Sequence, residues 1–320
     1  MTESLVVTTT RMGTTITMQL VGHGMTASAR AERAAAIARA DQWFERVTDV
    51  CSRFDTRSEL AQLSTRMHEA VKVSDLLYEA VGFALAVAED SGGAFDPTVG
   101  HRLSALGFNR NYQSGKLVHA PFEVDPNATY RDVQLDREHR TITIHRPLIL
   151  DLGAVAKGLA VDMAARELQP FENFAIDAGG DGYFGGTNAA GDPWSVGIRH
   201  PRLEGALLAT VRVSNAAVCT SGDYERRSPV DPTRHHLMDP RAEVDATALA
   251  SATVIAPTAM VADALSTTAF VLGSGPGMAF LNAHDVDGLL VTPSIGRFET
   301  AGFLTVHRFD PPLAVGADER

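Results

Sequence analysis

Four side chains stand out by type and spacing. Asp263 and Thr267 lie four residues apart in the run ADALSTTAF. On a helix both oxygens would point to one face, about one turn apart. A carboxylate beside a hydroxyl suits a hard cation such as Mg2+, which takes oxygen ligands and keeps water or substrate phosphate. The same pair can equally be solvated or hydrogen-bonded to itself. Its flanks (Met260, Val261, Ala262, Leu265, Ala269, Phe270) are apolar. Asp263 is therefore expected to be partly buried and in need of a partner. Lys157 stands alone among small residues in DLGAVAKGLAVD. At helical spacing it shares a side with Ala154, Ala160 and Val161, which carry no charge to pair it, so an arriving anion is expected there. The fourth is one of the adjacent pair His235 and His236 in HHLMDPR. An imidazole is a general base near neutral pH, and of two adjacent histidines on a strand only one can face a site. A plain turn at Asp239-Pro240 is the alternative.

Two further stretches permit close backbone approach to a ligand. In GGAFDPTVG, Asp96 precedes proline and is kept out of helix, with glycines on both sides. AIDAGGDGYFGG is glycine-rich after a strand and is either a phosphate cradle or a β-hairpin. Its spacing matches neither the dinucleotide fingerprint nor the P-loop. The segment TSGDYERR adds hydroxyls and the pair Arg226 and Arg227, which suit an anion or plain solvation.

These groups need elements to hold them. Residues 4–21 read as two β-branched strands joined near Met12 and Gly13. Apolar spacing predicts a long helix over about 28–50 and a second after Ser74, ending near Gly92. Residues 107–130 read as an irregular loop, and RDVQLDREHRTITIHRPLIL as a hairpin turning at Asp136–His139. The helix opened by DLGAVAKG follows, then several strands, an apolar helix ended by Gly273, a short helix and C-terminal strands. The tail GADER is expected to fray. Helices interleave with hairpins rather than alternating strictly with strands, which favours an α+β fold over a doubly wound parallel sheet. No composition break divides residues 1–320, so one large domain is expected.

Bulk composition narrows the function. The chain has 320 residues, 45% of them hydrophobic and 21% charged, which argues against disorder. A formal net charge of -11 disfavours nucleic acid or an anionic membrane as partner. Cys51 and Cys219 are too few for a disulfide framework or a cysteine zinc site and read as buried thiols. No run reaches the roughly 20 apolar residues of a membrane span, and no signal peptide or lipid-attachment cysteine opens the chain. A cytoplasmic protein is expected; an extracytoplasmic one would require a different start site.

In order, MGTTITMQL, CSRFDTRSEL, GGAFDPTVG, DLGAVAKGLAVD, NFAIDAGGDG, WSVGIRHP, TSGDYERR, HHLMDPR, SATVIAP and ADALSTTAFVLG resemble the ApbE family of FAD:protein FMN transferases, from about residue 11 to 307. The resemblance implies ApbE-like, T-fold-related mixed sheets with packed helices. It implies Mg2+-dependent transfer of FMN from FAD to a Ser or Thr hydroxyl of an acceptor flavoprotein, with release of AMP. Met12, Phe54, Ala94, Phe95, Asp96, Asp151, Lys157 and Leu237 would contact FAD. The carbonyls of Ala154 and Ser266, the Asp263 carboxylate and the Thr267 hydroxyl would hold Mg2+. His236, Asp263 and Lys157 would carry the chemistry. Three departures are visible: Phe54 replaces the common Tyr, AEVDATAL follows DPR in place of Thr-Gly, and no secretion signal is present. The alternatives are an FAD pyrophosphatase and a non-catalytic flavin-binding module.

Overall fold

Alternation in the N-terminal run does produce a hairpin. In the computed structural model, which describes residues 2–24, 26–112, 114–242, 244–303 and 308–309, strands β1 (Thr2–Arg11) and β2 (Thr14–His23) pair antiparallel. Met12 and Gly13 make the two-residue turn with φ of 50° and 75°. Positive φ at both positions matches the right-handed twist of the strands. Every second residue of β2 (Ile16, Met18, Leu20) is buried on one face.

The helices are α1 (Ala27–Cys51), α2 (Glu59–Leu63), α3 (Asp75–Asp90), α4 (Gly100–Ala105), α5 (Gly153–Leu168), α6 (Ala259–Leu272) and α7 (Ser274–Ala283). The remaining strands are β3 (Val71–Lys72), β4 (Val133–Asp136), β5 (Thr141–Ile144), β6 (Phe174–Ala178), β7 (Asp181–Gly185), β8 (Trp194–Arg199) and β9 (Leu207–Val213). After them come β10 (Ala216–Gly222), β11 (Met238–Asp239), β12 (Val244–Asp245), β13 (Ser251–Ala256), β14 (Asp287–Val291), β15 (Arg297–Glu299) and β16 (Arg308–Phe309). Eight strands form one sheet in the order β1-β2-β6-β7-β10-β13-β14-β15, and every pairing between named strands is antiparallel. The fold is therefore α+β, with mixed helices and antiparallel sheets.

Side-chain parity on the central strands builds three layers. Ala217 and Cys219 of β10 and Val254 of β13 face the helices α1, α5 and α6. Val218 and Ile255, their sequence neighbours, face Trp194, Ile198 and Val211 of the small sheet β16-β9-β8. Strand β13 is buried on both faces, and α6, sandwiched between α5, α7 and the sheet, is buried nearly all round. A second small sheet, β3-β5-β4, contains the hairpin whose turn begins at Asp136. The loop reading of 107–130 holds, with one isolated bridge, Arg110 to Leu117. The short helices α2 and α4 were not legible; α4 has six residues, no side-chain cap and a start fixed by a hydrogen bond from Gly100 N–H to the Ile149 carbonyl. The GADER tail lies outside the described residues. Among the described residues, no helix is long and apolar enough to cross a membrane.

Candidate active site

The opening of α5 is irregular where a helix is usually secured. Leu152 stands at the N-cap without a side-chain hydrogen bond, and Ala154 has non-helical angles of φ -95° and ψ 16°. One orphan N–H of the first turn, that of Gly153, donates to Asp151 Oδ1 at 2.8 Å. Four residues after Ala154, Gly158 lets α5 and α6 touch. A Cβ there would sit 2.4 Å from the Ala259 carbonyl oxygen. The Gly158 N–H lies near enough to the Asp263 carboxylate on α6 to favour its charged form.

Lys157 is not without a charge partner, as its helical neighbours had suggested. Its ammonium pairs with Asp181 Oδ2 at the start of β7, and the two side chains are 19% and 2% exposed. The partner comes from the next sheet strand rather than from the helix, so helical spacing could not reveal it. Asp263 is 6% exposed, and its Oδ2 is buried with no hydrogen-bond partner. Burial pushes its carboxyl up from the ordinary value, while Lys157, the Gly158 N–H and Arg226 hold it back. Ser221 of β10 bridges to α6, its hydroxyl 2.9 Å from Ser266 Oγ and 3.0 Å from Thr267 Oγ1. On the far side, Asp162 of α5 accepts from the N–H groups of Ala259 (2.6 Å) and Met260 (2.9 Å) at the start of α6. Burial raises its carboxyl to about 6, against those two hydrogen bonds.

Asp151 has its own cation. The Arg53 side chain, 7% exposed, pairs with Asp151 Oδ2, donates to the Phe108 carbonyl and Ser104 Oγ, and lies 4.2 Å from the Phe54 ring centroid. Burial would raise the Asp151 carboxyl, but Arg53 and the Gly153 N–H together hold it below its ordinary value. Asp96 is spent on its own loop. It accepts from Thr98 N (2.8 Å), Thr98 Oγ1 (2.7 Å) and Tyr130 N (3.3 Å), so its carboxylate shapes the Ala94–Phe95 wall. The Met12 N–H donates to the Tyr112 hydroxyl at 3.2 Å, tying the β1–β2 turn to the loop.

The two histidines diverge as strand geometry requires. His235 is buried, accepts from Leu237 N–H and sits edge-on to Phe270. His236 faces the cavity, half-buried, with Nδ1 3.4 Å from the Arg226 carbonyl and Phe108 edge-on. Burial, then the cationic Arg226, lower its pKa to about 3, so the ring is neutral near pH 7.

Two adjoining cavities collect these groups. One, of about 410 Å3, is lined by Phe54, Ala94, Phe95, Asp96, Asp151, Ala154, Lys157, His236, Leu237, Asp263 and Thr267. The other, of about 470 Å3, holds Met12 and shares Arg53, Phe54, Asp151, Gly153, Lys157 and Arg226. Together they span the room and polarity of a large, elongated anionic ligand. Ser266 lines neither cavity; it is fully buried, with its hydroxyl on Ser221 and on the Asp263 carbonyl. The sequence pattern did not point to Arg53 or Asp181, and offered Ser221 only as one of the hydroxyls of TSGDYERR. Asp181 lay inside AIDAGGDGYFGG, a hairpin that had been read for its glycines; the β6–β7 turn is Gly179–Gly180.

One carboxylate with a bare oxygen, a neighbouring hydroxyl and an irregular backbone turn lie together at this end of α5. Among the described residues no group of three or more His, Cys, Asp or Glu could hold a metal ion. Mg2+ needs no such group, because it accepts one or two carboxylates and takes the rest from water and phosphate.

Comparison with known proteins points one way. The ApbE family model matches residues 12–290. The chain is 33% identical over 270 residues to the FAD:protein FMN transferase of Treponema pallidum, covering 77% of this chain and 74% of that one. It is 28% identical over 263 residues to the FAD:protein FMN transferase of Haemophilus influenzae, covering 78% and 76%. The crystal structure of the ApbE protein from Thermotoga maritima superposes with a TM-score of 0.81 at 29% identity, over 94% of this chain and 98% of that one. The flavin transferase ApbE from Vibrio cholerae gives 0.79 at 25% identity, over 95% and 99%.

Proposed function

The chain belongs to the ApbE family, and from that premise we propose that it transfers FMN from FAD to a Ser or Thr hydroxyl of an acceptor flavoprotein, releasing AMP. The observation that carries this reading is the bare Oδ2 of Asp263, buried beside Lys157 in a cavity that also holds the neutral His236. A pure binding site would have no use for an uncompensated buried carboxylate.

The donor set fits Mg2+. Asp263 Oδ2, the Thr267 hydroxyl and the carbonyls of Ala154 and Ser266 would hold it, with the FAD diphosphate completing the set. When bound, it would neutralise charge on the diphosphate. Lys157 lies on the same side and adds its ammonium to that neutralisation. Phe54 and Met12 give an aromatic and a soft apolar wall for the isoalloxazine.

The acceptor oxygen attacks the FMN-side phosphorus. That P–O bond forms, the P–O bond to AMP breaks, and AMP leaves with both bonding electrons. The hydroxyl proton goes to a ring nitrogen of His236, neutral in the free protein and made more basic by the incoming negative diphosphate. Phe108 stands edge-on to that ring.

The test is incubation with FAD, Mg2+ and cell extract, followed by in-gel flavin fluorescence and AMP measurement. The expected result is one labelled band and AMP in equal amount. AMP formed at the same rate without extract, and no band, overturns the reading in favour of FAD hydrolysis.

A further inference from the structure

A third cavity, of about 500 Å3, opens beside the first and shares Thr14, Gly179, Thr220 and Glu225 with it. One wall is the outer edge of β8, at Val196, Gly197, Ile198 and Arg199. That strand ends its sheet: it pairs with β9 on one side and, among the described residues, with no strand on the other. No backbone hydrogen bond from Val196–Arg199 other than those to β9 is made among the described residues. The opposite floor is the β6–β7 turn, where Gly179 and Gly180 present bare backbone. A Cβ at Gly180 would meet nothing within 4 Å.

An open strand edge facing a glycine floor takes an extended chain, because main-chain groups supply the bonds and alternate side chains fit the walls. We propose that this groove binds an extended segment of the acceptor protein as an added strand on β8, delivering its hydroxyl across Thr14 and Gly179 into the catalytic cavity. The proposal rests on the transferase reading and names its second substrate by shape: unfolded chain on either side of the modified residue. Continuity is the deciding observation. The groove joins the first cavity at Thr14, Gly179, Thr220 and Glu225 and shares no lining residue with the cavity that holds Met12, which leaves the flavin's place clear. Its rim carries the Arg199–Glu225 ion pair at the junction of the two spaces.

The probe is a library of synthetic peptides of about ten residues, roughly two strand lengths, each with one central Thr and degenerate flanks. It is incubated with the protein, FAD and Mg2+, and attached FMN is read by mass. A labelled sequence is then remade with single N-methyl groups along its backbone. Strand addition predicts loss of about tenfold in kcat/KM at alternate positions on one side of the Thr, with little change between them, as expected for deletion of one exposed main-chain hydrogen bond. Thr15→Trp, at an exposed position in the groove, should raise the peptide KM while FAD affinity, read by flavin fluorescence, stays unchanged. Val196→Trp should do the same and guards against a fault peculiar to Thr15. An N-methyl scan without alternation overturns the proposal, as does an unchanged peptide KM in both variants. If no peptide is labelled but added cell protein is, the groove proposal fails while transfer stands. If AMP is released to water alone and nothing is labelled, transfer itself fails and the groove falls with it.

Discussion

The two helices that meet at Gly158 begin in opposite ways. Helix α6 starts secured three times over: Thr258 accepts from the Val261 N–H, and Asp162 takes the N–H groups of Ala259 and Met260. Helix α5 starts with no side-chain cap at Leu152 and a non-helical residue at Ala154. The secured end lies away from the cavity; the irregular end lines it. Orphan backbone groups at a helix start are a liability in a core and a resource in a site. Here the regular helix holds Asp263 and Thr267 in place, and the irregular one leaves polar backbone beside them.

The sharpest way to break this comparison is Asp263→Ala. Transfer should fall roughly 10^3- to 10^4-fold, since several kcal/mol of charge stabilisation disappear and each factor of ten is about 1.4 kcal/mol. Thermal stability should hold or rise, because a desolvated carboxylate is gone. Turnover like that of the unaltered protein, measured with FAD and Mg2+, would make the α6 face merely structural. Next in size, Lys157→Ala should cost about 3 kcal/mol in denaturant unfolding, because it strands Asp181 in a buried place. Adding Asp181→Asn should restore most of that stability without restoring FAD affinity. This follows from Lys157 having a resident charge partner, which its helical neighbours did not supply.

Why that lysine misled is instructive. The spacing of Asp263 and Thr267 was legible because both lie on one long apolar helix, where period decides position. The same was true of α1, α3 and the β1–β2 hairpin. Asp181 was not legible, because its contact with Lys157 crosses from helix to sheet and depends on the order β6-β7-β10. Arg53 was hidden similarly: its partners Ser104 and Phe108 lie in one segment and Asp151 in another, both far along the chain. His236 was told from His235 by resemblance rather than by period, and the structure turns the His236 ring to the cavity and buries the His235 ring.

Smaller effects sharpen the contrast between the helix starts. Gly158→Ala should cost about 2 kcal/mol by overpacking the α5–α6 contact, and should lower kcat as Asp263 moves. Thr258→Ala should cost about 1 kcal/mol in unfolding experiments and leave kcat unchanged, because that cap serves only the secured end. A separate effect is in pH. His236 is neutral when folded down to about 3 and protonates near 6.5 when unfolded. The unfolded state thus binds the extra proton in that window, and stability falls as pH drops through it. In His236→Asn that fall should be shallower, as read from unfolding midpoints at successive pH values.

The Lys157–Asp181 pair gives the empty cavity a resident anion. On the proposed reading, an incoming diphosphate would not meet a fully hydrated ammonium; it would displace a carboxylate already in place. The exchange would trade one desolvated partner for another, so net affinity would be smaller than the contact alone would give. The same competition would run in reverse on product release, with Asp181 placed to reclaim the cation.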